Sequence, residues 1–208
     1  MSVIKLEHPL VEHKLAILRN KNTGTKEFRE LVSELSMILC YEAMKDAELD
    51  EVTVETPITT MKTGMLDEDH YAFFPILRAG TGMLDGVISV MPNAKIGHIG
   101  MYRDETTFKP VNYFFKSPKH LEEKTCIIID PMLATGGSGL DAIELLKEKG
   151  AKKIKFLSII SAPEGLKTIE DKYPDVEIYT ASIDEKLNEN KYIVPGLGDA
   201  GDRIFGTK

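Results

Sequence analysis

CIIIDPMLATGGS, running from Cys126 to Ser138, joins an apolar strand, one carboxylate and a glycine-hydroxyl turn. Cys126, Ile127, Ile128 and Ile129 form a continuous run rich in β-branching, the pattern of a strand covered on both faces in a parallel sheet. Asp130 stands at its carboxyl end. Ala134-Thr135-Gly136-Gly137-Ser138 then supplies two hydroxyls and successive backbone amides, and Leu140, Ile143, Leu145 and Leu146 follow at helical spacing. A helix N-terminus therefore faces whatever Asp130 holds. Its unpaired amides and the positive end of its dipole suit a phosphate dianion, while the carboxylate can accept bonds from vicinal sugar hydroxyls. The segment predicts a site for a ribose 5-phosphate.

On either side the chain alternates strands with helices. Tyr71–Leu77, Ile96–Tyr102, Thr125–Asp130, Lys153–Ser161 and Val176–Ala181 are predicted strands, with helical patterns after the first, third and fourth. That alternation gives an α/β class with a parallel sheet. Ahead of it, Pro9 opens a helix bearing Leu10, Val11, Leu15 and Leu18, and Thr25 is a plausible cap for a longer one bearing Phe28, Leu31, Val32, Leu35, Ile38 and Leu39. In open parallel sheets, ligands lie outside the carboxyl ends of the strands. Those ends here carry Arg78, Arg103 and Asp130, which points three strands at one crevice.

Composition sets limits. The 208 residues, 42% hydrophobic and 28% charged, suit a single domain spanning 1–208: N-terminal helices over 8–49, a core sheet over about 70–182 and a tail over 183–208. A formal charge of −7 argues against a general nucleic-acid binder, which needs a basic face. Cys40 and Cys126 lack repeated spacing and are expected as reduced core residues. No run reaches the roughly 18 apolar residues of a membrane span, and the N-terminal stretch carries charges where a signal peptide needs an apolar core. The expectation is a cytoplasmic protein that binds neither membrane nor nucleic acid.

The segment at 126–138 resembles the phosphoribosyl pyrophosphate (PRPP) motif of the type I phosphoribosyltransferases, whose usual form ends in two acids and then Thr-Gly-Gly-Thr. Pro131 occupies the place of the second acid and Ser138 that of the last threonine, so ribose recognition rests on one carboxylate. Asp-Pro-Met-Leu-Ala-Thr-Gly-Gly-Ser, together with the tail YIVPGLGDAGDRIFGT at 192–207, resembles the uracil phosphoribosyltransferases. The resemblance extends over nearly the whole chain, including His8-Pro9-Leu10-Val11 and His13-Lys14-Leu15. It implies the type I fold with a hairpin arm and a small C-terminal hood, and a reaction giving UMP and pyrophosphate from uracil and PRPP.

Residue by residue, the resemblance assigns PRPP to Asp130, Pro131, Met132, Leu133, Ala134, Thr135, Gly136, Gly137 and Ser138, to Arg78 and Arg103 for the pyrophosphate, and to Asp199. It assigns uracil to Ile193, Gly198, Asp199 and Ala200, and makes Asp130, Arg78 and Asp199 the catalytic residues. Magnesium is implied as cofactor, held mainly by PRPP and water; the five histidines form no metal motif. A homodimer or higher homo-oligomer and a GTP effector, as in some relatives, are also implied.

Taken alone, several features stay open. Arg78-Ala79-Gly80-Thr81-Gly82 also fits a turn that needs glycine for conformation, and Arg103 an ion pair with Asp104 or Glu105. Between Arg103 and His120, Phe108, Val111, Tyr113, Phe114 and Phe115 predict a hairpin arm turning at Lys109-Pro110. Gly196-Leu197-Gly198-Asp199-Ala200-Gly201 matches the dinucleotide pattern G-x-G-x-x-G, yet that pattern needs an acid about 20 residues later, and only seven residues remain. Its glycines instead let backbone donors and acceptors face a planar ligand. The alternatives to a uracil enzyme are a PRPP-sensing or RNA-binding regulator on the same fold, or a transferase for another base.

Overall fold

The computed structural model describes residues 3–103 and 110–207. In chain order the elements are β1 (Val3–Lys5), α1 (Pro9–Arg19), α2 (Thr25–Ala43), β2 (Asp50–Glu55), β3 (Thr60–Met65), β4 (Tyr71–Leu77), α3 (Leu84–Val90), β5 (Lys95–Ile96), β6 (His98–Arg103), β7 (Pro110–Lys116), β8 (Thr125–Ile129), β9 (Met132–Leu133), α4 (Gly137–Glu148), β10 (Lys153–Ser161), α5 (Pro163–Lys172), β11 (Glu177–Ile183), β12 (Lys186–Leu187), β13 (Ile193–Val194) and α6 (Ala200–Phe205).

The main sheet runs β1-β11-β10-β8-β4-β6-β7, parallel except for the antiparallel β6–β7 pair at one edge. Alternate residues of its central strands feed two cores. Phe73, Ile127 and Ile129 pack with Val11, Leu15, Phe28, Leu35, Val87 and Ile204, so α1, α2, α3 and α6 cover one face. Phe74, Cys126 and Ile128 pack with Ile143, Leu146, Leu166 and Ile169 from α4 and α5 on the other. Burial on both faces explains why β4, β8 and β10 are near-continuous apolar runs.

The predicted strands 71–77 and 153–161 hold to the residue, and 125–130 ends one residue earlier. The strand expected over 96–102 divides at Gly97 into β5 and β6, which keep one register on β4; Gly97 still donates its N–H to Phe73 O across the gap, and an added Cβ there would strike the Phe74 ring. Thr25 is the first residue of α2 and Gly24 the N-cap, with no side-chain capping bond. Pro9 does open α1, where His8 Nδ1 accepts from the Leu10 amide at 3.1 Å. The arm is present as β6–β7, with Phe115 stacked on Phe74 at 6.5 Å. Its expected turn at Lys109-Pro110, with Phe108, lies outside the described residues except that Pro110 begins β7. Both cysteines are free and buried, and desolvation pushes each thiol up to about 12.

Candidate active site

β8 ends at Ile129, and Asp130 follows at the carboxyl end of that strand. The backbone stays stitched to β10: Asp130 N donates to Leu157 O, and Pro131 O accepts from both Ile159 N and Ile160 N, all at 3.1 Å. Asp130 itself is only partly covered, yet desolvation lifts its carboxyl from an ordinary 3.8 to about 7, against a lowering bond from the Met132 amide. At neutral pH this acid is therefore poised between its two forms, which structural surface carboxylates are not.

Gly136 carries the chain into α4 with φ +82°, the left-handed region that favours glycine. It is also packed so tightly that a Cβ would lie 2.8 Å from Gly165 O and 2.9 Å from the Thr168 Cβ. Gly137 and Ser138 form the first turn, no side chain caps it, and Thr135 Oγ1 sits 3.4 Å from the Gly137 amide. The amides that open this 12-residue helix lie directly after the Asp130 strand end. Met132 and Leu133 form the short β9 against β10, and Ala134 follows them into the turn.

β4 lies beside β8 in parallel, with Pro75 opposite Ile129. Arg78 follows β4 across a cis Leu77–Arg78 peptide, and Ala79–Met83 forms a 3-10 turn in which Thr81 Oγ1 donates to Arg78 O at 2.7 Å. A Cβ on Gly80 would fall on the Ile129 carbonyl oxygen, so glycine lets this turn press against the end of β8. The Arg78 loop and Asp130 are thereby brought together, as the sequence predicts. Arg103 closes β6, on the next strand over from β4.

The tail forms the hood. β12 and β13 pair antiparallel, and α6 packs Ala200 and Ile204 into the core shared with α2. Ile193 and Ala200 are buried, Gly198 is exposed with φ +83°, and Asp199 is exposed while its Oδ1 caps α6 by accepting from Asp202 N at 2.8 Å. Arg78 Nη2 stands 3.8 Å from Asp202 Oδ1, and its guanidinium lies 5.7 Å from the centre of the Phe205 ring. That pair of contacts joins the Arg78 loop to the hood. A crevice of about 540 Å³ opens beside it, lined by Arg19, Thr25, Tyr192, Gly196, Asp199 and Arg203 among others.

This geometry has the marks of a type I phosphoribosyltransferase, and a family model described as uracil phosphoribosyltransferase matches residues 5–207. The chain belongs to the uracil phosphoribosyltransferase family. Its relatives there include the uracil phosphoribosyltransferases of Clostridium botulinum strain Eklund 17B, 61% identical over 206 residues, and of Clostridium novyi strain NT, 59% identical, each match covering 99% of both chains. A solved structure of an Aquifex aeolicus protein is similar with a TM-score of 0.94 at 42% identity, over 99% of each chain. The adenine phosphoribosyltransferase of Trypanosoma brucei, solved with AMP, pyrophosphate and ribose-5-phosphate, shares the fold at a TM-score of 0.61 and 12% identity, over 95% of this chain and 88% of its own.

Against this family background, sequence reasoning missed the polar groups that hold the hood: Arg19, Ser182, Asp184 and Arg203. Arg19 and Asp184 are 165 positions apart, so no local pattern could pair them. It also missed a surface cluster of one histidine and two glutamates. Exposed His120, Glu122 and Glu123 bring ligand atoms within 4.8 Å of one another, but they precede β8 and stand at the opposite end of that strand from Asp130. No helix among the described residues is long and apolar enough to cross a membrane.

Proposed function

We propose that this protein transfers the phosphoribosyl group of PRPP to uracil, giving UMP and pyrophosphate. The observation that carries the reading is the convergence of Asp130, the α4 N-terminus, the Arg78 turn pressed on Ile129 and the hood that Arg78 reaches. In this reading the amides of Gly136, Gly137 and Ser138 hold the 5′-phosphate, with Thr135 and Ser138 adding hydroxyl donors. Asp130 accepts bonds from the ribose hydroxyls. Arg78 and Arg103 oppose the pyrophosphate, and backbone groups of Ile193, Gly198, Asp199 and Ala200 face the uracil edge.

Uracil N1 attacks the anomeric carbon with inversion: the N1–carbon bond forms as the carbon–oxygen bond to pyrophosphate breaks, and the N1 proton is released. The transition state is oxocarbenium-like, as in glycoside cleavage, so the protein acts chiefly by aligning the base and stabilising the leaving anion. Cytosine reverses two hydrogen-bond polarities of the uracil edge; leaving such buried groups unpaired costs factors of about 10⁴. Magnesium fits the donor set. Asp130 and Asp199 are separate carboxylates, not a closed ligand cage, which suits a cation carried mainly by PRPP oxygens and water. When bound it neutralises pyrophosphate charge.

The same reading takes the protein as cytoplasmic and self-associating. Exposed Tyr113 and Phe114 on the β7 arm favour a homodimer or higher homo-oligomer, while a GTP effector rests on the family resemblance alone. Purified protein is to be assayed with PRPP and magnesium against uracil, cytosine, orotate, hypoxanthine and adenine, with and without GTP. Turnover of uracil alone is expected. PRPP binding with no base consumed would instead favour a regulator, and turnover of another base would overturn the tail assignment while leaving Asp130 in place.

A further inference from the structure

Asp184 sits just past β11 with a side chain only 1% exposed. Its amide donates to Ser161 O at 2.8 Å, which fixes it to the end of β10. Arg19, the last residue of α1, meets it as a two-pronged pair, Nη1 to Oδ2 at 2.7 Å and Nη2 to Oδ1 at 2.6 Å. Both partners then grip one residue of the hood. The Gly196 amide donates to Asp184 Oδ2 at 2.9 Å, and Arg19 Nη1 donates to Gly196 O at 2.8 Å. Ser182 Oγ braces the pair from the side, 2.8 Å from Asp184 Oδ1 and 3.1 Å from Arg19 Nη2.

Gly196 has little freedom besides: its φ is +65°, and a Cβ would fall on the Ile193 carbonyl oxygen. One residue further, Arg203 Nη1 donates to Leu197 O at 2.8 Å while Nη2 donates to Asn20 O at 2.7 Å. Two arginines thus fix the carbonyls immediately before Gly198 and Asp199. Such planar, multi-pronged pairs add geometric precision that a single hydrogen bond lacks.

We propose that Arg19 and Asp184 are positioning residues for base selection: without touching uracil, they hold Gly196 so that the backbone of Gly198–Ala200 meets the base in register. The inference rests on the reading that this stretch of the hood binds uracil. It extends the site to a helix and a strand end on which sequence reasoning placed nothing.

The test uses Arg19→Lys and Asp184→Asn in the full chain, with folding checked by circular dichroism and thermal midpoint. The KM for uracil should rise about 10- to 100-fold, as expected for a misplaced substrate contact. PRPP KM should rise far less, by about threefold at most, because Asp199 is one of many groups assigned to PRPP, and the gap between the two KM values separates base binding from a general loss of structure. Cytosine turnover relative to uracil should increase. Ser182→Ala removes one hydroxyl and no charge, so it decides the matter should both charged variants fail to fold; it should shift uracil KM alone, by about threefold. Unchanged uracil KM in the folded variants, or equal losses for both substrates, overturns the proposal. Gly198→Val separates the two failures: if it too leaves uracil KM unchanged, the hood does not hold the base; if it raises uracil KM while the clasp variants do not, the positioning role alone is wrong.

Discussion

Replacing Asp130 by Asn should impair the enzyme and stabilise it, with both effects governed by pH. In the folded protein the carboxyl is lifted to about 7, against roughly 3.9 in an unfolded chain. Well below pH 4 the group is protonated in both states and costs nothing. As pH rises toward 7 the unfolded chain releases this proton and the native state retains it, so stability falls; above 7 the penalty is complete. At about 1.4 kcal/mol per pKa unit, the ceiling is about 4 kcal/mol. Since Asp130 keeps some contact with water, about 2 kcal/mol is expected, or roughly 4–8 °C in melting temperature for a domain of this size. Calorimetry of wild type and Asp130→Asn at pH 3 and 8 should show coincident melting at the first and a higher midpoint for the variant at the second. For catalysis the ionised form is the useful one, because only the carboxylate accepts from two ribose hydroxyls. Wild-type kcat/KM for PRPP should therefore rise through about pH 7 with a one-proton limb, and the variant should lose about 10²-fold or more at pH 8 along with that limb. The variant also controls for titration of PRPP's own phosphates. Equal melting at pH 8, or an ascending limb retained in Asp130→Asn, would refute the reasoning.

Gly136→Ala combines backbone strain at φ +82° with a Cβ 2.8 Å from Gly165 O. It should cost about 2–4 kcal/mol and lower the melting temperature by roughly 5–15 °C; an unchanged midpoint would show that the turn can relax. Arg78→Ala removes an exposed cation whose pairing with Asp202 at 3.8 Å contributes little to stability. Steady-state kinetics should therefore show a loss of about 10²-fold or more in kcat/KM for PRPP with melting unaltered, and near-native kinetics would remove Arg78 from the pyrophosphate site.

The parts of the fold that were legible in sequence are those where burial on both faces writes a continuous signal. Tyr71–Leu77 and Lys153–Ser161 are flanked by helices on each side and were bounded correctly. The Val3–Lys5 strand was not seen, because three residues at a sheet edge give too short a pattern. The β2–β3 hairpin was also missed, although Glu51-Val52-Thr53-Val54-Glu55 alternates; its valines are only half-buried, so the alternation stands for weak burial. In the candidate site, the placing of Asp130 after a strand end and of the 134–138 turn at a helix start was readable because both lie in one continuous segment. Arg19 and Asp184 were not, because their meaning exists only after α1 and the end of β11 meet. The glycines of the tail point to backbone contact with a ligand, but they carry no sign that Asp199 also caps α6 through one carboxylate oxygen.

The single acid at 130 follows from what surrounds position 131. Pro131 is buried, and its carbonyl takes two amides of β10 while Met132 and Leu133 resume parallel pairing as β9. An amide N–H at that position would need a partner of its own, whereas proline presents none. A carboxylate there would be desolvated beside an acid that burial already holds near 7, and like charges at such range push each other further toward protonation. Two neighbouring acids would then share a proton at neutral pH and offer little more charge than one. Proline avoids that conflict, and in the proposed function it leaves Asp130 as the carboxylate for the sugar hydroxyls. It also adds no further carboxylate to a crevice where Arg78 already stands 3.8 Å from Asp202 Oδ1.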